Sequence, residues 1–179
     1  MSILLLRGIP GSGKTHIVTT VADASLAEHS LNALSAPIAY FYCGDSRFGR
    51  NWADPDELMR SLTQQLAIVD KKTLKIHESI SLEYTRREAE AKLNGFDMPK
   101  LRCAERAGLI LGILGANPAV IIVDGVDEIE ERRRHEFLES ITGVRDESAS
   151  VVTIFSLQSR KQQYPRSFAR RLEDSRSES

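Results

Sequence analysis

The chain has 179 residues, which suits one domain that can bury a sizeable core. Hydrophobic residues make up 41% of it and charged residues 27%, as is usual for a globular chain. The formal net charge of −1 gives no global basic field, so we expect no nucleic-acid partner.

Cysteine usage and hydropathy indicate the compartment. Cys43 and Cys103 lie far apart in the sequence and form no C-x-x-C motif, so two reduced, buried thiols are expected rather than a metal site. No apolar stretch has transmembrane length, and the start lacks the basic lead-in of a signal peptide. The sequence therefore predicts a cytoplasmic protein without a membrane partner.

The first element is a strand that leads into a glycine-rich turn. The unbroken apolar run Ile3–Leu6 predicts a buried parallel strand. Residues 8–15, GIPGSGKT, fit the pattern G-x-x-x-x-G-K-[ST]. A helix with one apolar face is predicted next, formed by Ile17, Val18, Val21, Ala22 and Leu26. Because the first core strand starts at residue 3, we expect the chain to be a piece of a longer protein or a trimmed product.

The residue types of this turn predict phosphate binding. Glycines lack a Cβ, so the turn can bend and point backbone N–H groups inward, and the start of the next helix adds further N–H groups. Lys14 would bring a mobile positive charge to the β and γ phosphates, and the Thr15 hydroxyl is a hard oxygen ligand for Mg²⁺. The candidate nucleotide-binding residues are Gly8, Gly11, Ser12, Gly13, Lys14, Thr15 and His16.

A second strand and a second helix follow. The aromatic and apolar run Ile38–Cys43 predicts a strand. After a polar loop, Asp54 as N-cap, Pro55 at the first helical position and Glu57 in the first turn mark a helix that should run to about residue 68. Its predicted buried face comprises Leu58, Met59, Leu62 and Leu66.

The middle of the chain is less well patterned. Residues 70–98 are charged with weak apolar spacing, which predicts partly exposed helices broken near Asn94-Gly95. The charges of Arg86–Glu90 should form a solvated face. Leu101–Leu114 predicts a helix that ends at Gly115 and has Leu101, Ala104, Leu109, Ile110 and Ile113 facing inward.

The last third of the chain carries two more strands. Ala119–Val123 predicts a third buried strand, with Asp124 at its C-terminal end. A helix is expected over residues 130–142, with the run Arg132–Arg134 on a solvated flank because glutamates surround it. Val151–Leu157 predicts a fourth strand. Strands that alternate with helices predict a parallel sheet with crossover connections.

The segment IIVDGVDE, residues 121–128, supplies the acidic groups that a phosphate site needs. A carboxylate at the tip of a strand near the phosphate loop can hold Mg²⁺ through its waters, and Asp124 fits that place. Asp127 or Glu128 could polarise an attacking water, and the pattern leaves open which of them is the base. An acidic turn before a helix would look similar, but its pairing with residues 8–15 favours the functional interpretation.

Five stretches together resemble the NACHT module of the signal-transduction ATPases with numerous domains (STAND), of the fungal NOD-like receptor and heterokaryon-incompatibility type. They are GIPGSGKTH, IAYFYCGDSR, DPDELMRSLTQQLA, IIVDGVDEIEERRRHEFLESI and a strand that ends in QSR. The resemblance implies an α/β, three-layer P-loop NTPase fold whose mostly parallel sheet has the order 5-1-4-3-2. Four strands are evident here, and the fifth has no clear counterpart. The nucleotide-binding core should span residues 1–160, with a short helix and a frayed tail over 161–179.

The same resemblance assigns roles to single residues. Lys14 and Thr15 carry phosphate and Mg²⁺, Asp124 is the acid on the Mg²⁺ side, and Asp127 with Glu128 is the distal acidic pair. Arg160 matches the arginine that follows the fourth strand, where it could reach the γ-phosphate; these residues are the candidate catalytic and metal-binding groups.

The implied function is a nucleotide-driven switch with slow, Mg²⁺-dependent hydrolysis. No N-K-x-D guanine motif occurs, so ATP is expected rather than GTP. Self-association, or partner domains in a larger receptor, would complete the switch. Two other functions remain open: a small-molecule P-loop kinase, which would use Asp45 and Arg47 near its acceptor, and a scaffold without catalysis.

Overall fold

The computed structural model describes residues 3–31, 36–44, 53–70, 73, 75–115, 117–147 and 151–158. In chain order the elements are β1 (Ile3–Gly8), α1 (Lys14–Leu31), β2 (Ile38–Tyr42), α2 (Pro55–Ala67), β3 (Ile68–Asp70), β4 (Lys75–Ile76), α3 (Glu78–Asn94), α4 (Cys103–Leu114), β5 (Ala119–Asp124), a 3₁₀ helix (Val126–Glu128), α5 (Glu131–Glu147) and β6 (Val151–Gln158). None of the helices within these ranges is long and apolar enough to cross a membrane.

Four strands form a parallel sheet in the order β1-β6-β5-β2. The phosphate-loop strand therefore lies beside the fourth predicted strand, and the acidic strand lies beyond it. This order confirms the predicted sequence 1-4-3-2 for the four strands. Within the described sheet, β1 is an edge strand, because no fifth strand flanks it among the described residues.

Helices cover both faces of the sheet and give three layers. On β5, Ala119, Ile121 and Val123 join the larger core beneath α2, α4 and α5. Val120 and Ile122 point the other way and pack with Val18 and Ala22 of α1. This strict alternation is expected for a strand with helices on both sides, and it explains why β5 reads as a continuous apolar run.

The α2 helix begins and packs as its sequence predicts. The Asp54 carboxylate accepts a hydrogen bond from Asp56 N at 3.0 Å, and Pro55 occupies the first helical position. Leu58, Met59 and Leu62 are fully buried, and each contributes about 1.5–3 kcal/mol through its burial. Leu66, the last residue of the predicted face, is buried too.

The prediction of helices throughout residues 70–98 is wrong at its start. The segment β3 pairs antiparallel with β4 as a short hairpin, and only then does α3 begin. Ile68 and Val69 are β-branched, which favours a strand there. The predicted break is confirmed, because Gly95 ends α3 in a left-handed conformation with a φ of 69°. No residue of α3 is buried, so this helix rests on the outside of the domain.

Two predicted helix faces need correction. Ile17, expected inside, is 49% exposed, while Val18 and Ala22 are buried. In α4, Ala104 is exposed and Arg106 takes an inward position instead. The Arg106 guanidinium can lie there because its Nη1 donates a hydrogen bond to the Asp56 carbonyl oxygen at 2.6 Å.

Candidate nucleotide-binding site

The phosphate loop and the acidic strand end at the same edge of the sheet. Gly8, the last residue of β1, is in register with Gln158, the last residue of β6. On the other side of β6, Val123 pairs with Phe155, which puts Asp124 at the carboxyl end of β5. Since only β6 separates β1 from β5, the two strands are about 10 Å apart, at the edge where ligands of α/β sheets bind.

The loop conformation favours glycine at two positions. Gly11 and Gly13 have φ angles of 76° and 81°, in the left-handed region that strains other residues. At Gly8 a Cβ would lie 2.5 Å from the Ser12 Oγ atom, a contact that rotation of the serine side chain can relieve. These glycines let the backbone turn tightly between β1 and α1.

Lys14 lies over the loop. Its Nζ donates hydrogen bonds to the carbonyl oxygens of Gly8 and Ile9, each at 2.9 Å, and lies 3.5 Å from Ser12 Oγ. All three acceptors are neutral oxygens, so no carboxylate among them offsets the positive charge of the ammonium. This charge can attract a phosphate.

The start of α1 adds to this positive region. Lys14 is the first helical residue, and Ile17 N donates to the Gly13 carbonyl at 3.0 Å in the first turn. The N–H groups ahead of Ile17 lack intrahelical acceptors, and no acidic side chain stands in the first turn of α1. Thr15 and His16 are exposed there, so both side chains are accessible to a ligand.

Asp124 is the buried carboxylate of the site. It is 5% exposed, and its Oδ1 accepts a hydrogen bond from the Ser156 hydroxyl on β6. The residue after it, Gly125, has a φ of 71°, and a Cβ there would lie 3.0 Å from the Cys43 carbonyl oxygen. The chain can therefore turn sharply after Asp124 and keep the end of β2 close.

Asp127 and Glu128 lie on the 3₁₀ helix just past this turn. Buried Val126 anchors the segment, Glu128 is exposed and Asp127 is partly exposed. The structure thus places both carboxylates next to the end of β5. Their roles as catalytic groups stay predictions.

The arginine run of α5 differs from the predicted solvated flank. Arg132 is exposed as expected, but Arg134 is 6% exposed. The Arg134 side chain donates to the Ile129 carbonyl from Nε at 3.2 Å and from Nη2 at 2.7 Å, and to the Asp127 carbonyl at 3.3 Å. Arg133 forms ion pairs with Asp54 and Asp56 at the start of α2. The run therefore ties α5 to two neighbouring segments.

Arg87 also departs from the predicted solvated face. Its side chain is 11% exposed and donates to the Glu105 carboxylate at 2.9 Å and to the Pro99 carbonyl at 3.0 Å. Arg86 is solvated as expected and pairs with Glu83. Arg87 thus joins α3 to the start of α4.

Cys43 is a site neighbour that the sequence did not suggest. Its backbone N–H donates to the Asp124 carbonyl at 2.9 Å. Burial, together with the carboxylates of Asp124, Asp127 and Glu128, raises the pKa of its thiol to about 12. Its thiol therefore lies within reach of the charges of these three carboxylates at the end of β5.

The residues present fit a magnesium–nucleotide. Mg²⁺ usually takes one or two protein oxygens together with phosphate oxygens and water, and the Thr15 hydroxyl and the Asp124 carboxylate are of the right type. Positive groups on the loop and negative groups after β5 face a common edge. Arg160, and the alternative acceptor residues Asp45 and Arg47, lie outside the described residues.

The sheet order and the glycine-rich loop are those of a three-layer α/β domain with the P-loop fold. The chain belongs to the family described as Nephrocystin 3, N-terminal, whose model matches residues 1–160. A solved structure with the same kind of fold is the ORC1 protein of Aeropyrum pernix in complex with DNA, at 19% identity and a TM-score of 0.50. That match covers 97% of this chain but 36% of the ORC1 chain. Comparison with curated proteins gives no match.

Proposed function

We propose that this chain is the nucleotide-binding module of a STAND-type, NOD-like switch, and that it binds ATP with Mg²⁺ and hydrolyses it slowly. The observation that carries the proposal is the position of the loop, residues 8–15, and of Asp124 at one edge of the sheet, on either side of β6. Cation, helix N-terminus and carboxylate are the groups that phosphoryl chemistry needs.

Each candidate residue has a proposed task. Lys14 and the N–H groups of the loop bind the phosphates, Thr15 and Asp124 hold Mg²⁺ directly or through water, and Asp127 or Glu128 orients the attacking water. Bound Mg²⁺ would neutralise charge on the phosphates. Arg160 would reach the γ-phosphate.

The wider context is also proposed. The match of the family model to residues 1–160 supports a nucleotide-binding core of that extent. The short helix and tail predicted for 161–179 lie outside the described residues. Self-association or partner domains would turn nucleotide state into a signal, as the NACHT resemblance implies. Two thiols without a disulfide agree with a cytoplasmic location.

Thermal unfolding with and without nucleotide tests the proposal. We expect Mg-ATP and Mg-ADP to raise the melting temperature at millimolar concentration, more than Mg-GTP does, because ligands stabilise the state that they bind. We expect weak binding by this chain, so nanomolar affinity would contradict that expectation, and turnover of many per second would contradict the slow hydrolysis proposed here. Transfer of phosphate to a small acceptor would instead favour the kinase.

A charge-matched pair of variants separates binding from a scaffold role. Lys14→Ala should weaken ATP binding by about 10- to 100-fold, because it loses charge-assisted hydrogen bonds to phosphate. Lys92→Ala removes an equal charge from exposed α3 and should leave the affinity unchanged. Equal ATP binding by parent and Lys14→Ala would favour a scaffold.

A further inference from the structure

The strand between the two halves of the site carries a buried hydroxyl. Ser156 on β6 is 1% exposed, and it lies in register with Leu6 of the phosphate-loop strand. Its hydroxyl donates to Asp124 Oδ1, and Gly125 N donates to its Oγ at 3.5 Å. One serine thus contacts both the side chain of Asp124 and the backbone of the turn that follows.

Alternation along the strands gives the direction of these side chains. Phe155 faces the larger core, whereas Ile154 packs on the α1 side, so Ser156 lies on the α1 side too. On β5, Val123 faces the larger core and Ile122 packs on the α1 side, so Asp124 lies on the α1 side too. The hydrogen bond to Ser156 therefore draws the carboxylate over β6, towards the phosphate-loop strand and away from β2.

We propose that Ser156 is a positioning residue that fixes Asp124 towards the magnesium position beside the phosphate loop. The inference rests on the proposed function and adds a residue that acts through Asp124. The hydroxyl occupies Oδ1, so the proposal assigns the contact with the metal or its waters to the Oδ2 atom of Asp124. Partners that orient metal ligands in this way set metal affinity.

The test measures ATP affinity with EDTA and with excess Mg²⁺, in the full chain. The dissociation constant in EDTA divided by that in Mg²⁺ reports how much Mg²⁺ strengthens ATP binding. In Ser156→Ala we expect this ratio to fall about tenfold, with the affinity in EDTA unchanged. The substitution frees the Asp124 carboxylate, which contacts the metal, and leaves the phosphate loop intact. A role in folding alone would lower both affinities together.

Thr153 provides a matched control on the same strand. It is 2% exposed, faces the larger core with Phe155, and its Oγ1 has no hydrogen-bond partner among the described residues. Thr153→Val removes a buried hydroxyl without touching Asp124 and should keep the parent ratio. If Thr153→Val lowers the ratio as much as Ser156→Ala does, the inference is wrong.

The remaining outcomes separate this inference from the proposed function. A parent-like ratio in Ser156→Ala overturns the positioning role alone. If that variant does not fold, Ser156→Val removes the donor with a residue that strands favour, and a parent-like ratio there overturns the role equally. A parent protein that binds no ATP with or without Mg²⁺ overturns the proposed function and this inference with it.

Discussion

At the scale of single residues, the site depends on glycines at tight turns and on a lysine that hydrogen bonds hold in place. Gly11 and Gly13 let the loop turn, and Gly125 lets the chain turn after Asp124. Among the described residues, the Lys14 ammonium donates to neutral oxygens, so no carboxylate there competes with a ligand for its charge.

Gly125→Ala should lower the free energy of unfolding by about 1–2 kcal/mol, because its φ of 71° disfavours a Cβ. The Cβ would also lie 3.0 Å from the Cys43 carbonyl oxygen. Urea unfolding measures the change. Gly108→Ala, at an exposed position of helix α4 with open space for a Cβ, is the control and should stabilise by about 0.5–1 kcal/mol. Equal effects of the two changes would contradict the turn geometry.

Both thiols should react slowly in the folded protein. Burial and three nearby carboxylates raise the pKa of Cys43 to about 12, and burial raises that of Cys103 to about 11. Because the thiolate is the nucleophile, alkylation at pH 8 should be at least 100-fold slower than in the denatured chain. The rate should rise about tenfold per pH unit above pH 8, until the thiols ionise or the protein unfolds. Rapid labelling of Cys43 in the native protein would show that its thiol is not held protonated.

At the scale of elements, two segments differ in how firmly the rest of the domain holds them. The 3₁₀ helix that carries Asp127 and Glu128 is held from outside, by the buried guanidinium of Arg134 on α5. In contrast, α3 buries no residue and contacts the rest of the domain mainly through α4. The first segment should be sensitive to one substitution, and the second should tolerate several.

Arg134→Ala should lower the free energy of unfolding by about 1.5–3 kcal/mol, because it removes charged hydrogen bonds to the Ile129 and Asp127 carbonyls. The neighbouring change Arg132→Ala removes an exposed guanidinium and should stay within about 0.5 kcal/mol of the parent. Chemical denaturation of the two variants makes the comparison. Equal stability would mean that Arg134 is as dispensable as its neighbour.

Substitution on the outer surface of α3 should have little effect. Leu82 and Leu93 are 62% and 86% exposed, so Leu82→Ser and Leu93→Ser should each change the free energy of unfolding by less than about 0.5 kcal/mol. Ile110→Ala, which truncates a fully buried side chain of α4, should cost about 2–5 kcal/mol. A large loss in either α3 variant would show that the helix is packed more firmly than its exposure indicates.

At the scale of the whole molecule, the parallel sheet joins residues that are far apart in sequence. The loop at residues 8–15 and Asp124 are separated by more than half of the chain, yet β1 and β5 flank the same strand. Ser156, near the other end of the sequence, lies between them. The proposed magnesium–nucleotide site therefore exists only once the sheet has formed.

Two variants should divide the site into its phosphate and metal halves. Asp124→Asn should abolish the Mg²⁺ dependence of ATP affinity, whereas Lys14→Ala should lower the affinity with and without Mg²⁺. Asp23→Asn, an exposed change of the same kind on α1, is the control. Titration of ATP in EDTA and in Mg²⁺ measures all three. An unchanged Mg²⁺ dependence in Asp124→Asn would show that the two clusters do not share one ion.

The local patterns were sufficient for most elements and for the loop. The Asp54-Pro55 start of α2, the Gly95 and Gly115 helix ends, and the four strands all have signals within a few residues, so sequence alone located them. The hairpin at β3–β4 was missed, because β4 is only two residues long and its pairing depends on a turn of weak pattern. The inward Arg106 was missed because its partner, Asp56, comes from another helix.

The sequence by itself determined that this chain has a phosphate loop between a strand and a helix, and an acidic segment after a buried strand, since both patterns are local. Only the tertiary structure decided that Ser156 contacts Asp124, that Arg134 holds the acidic turn, and that carboxylates gather around Cys43. Those contacts join residues on different elements. They depend on strand order, register and facing, which no short stretch of sequence specifies.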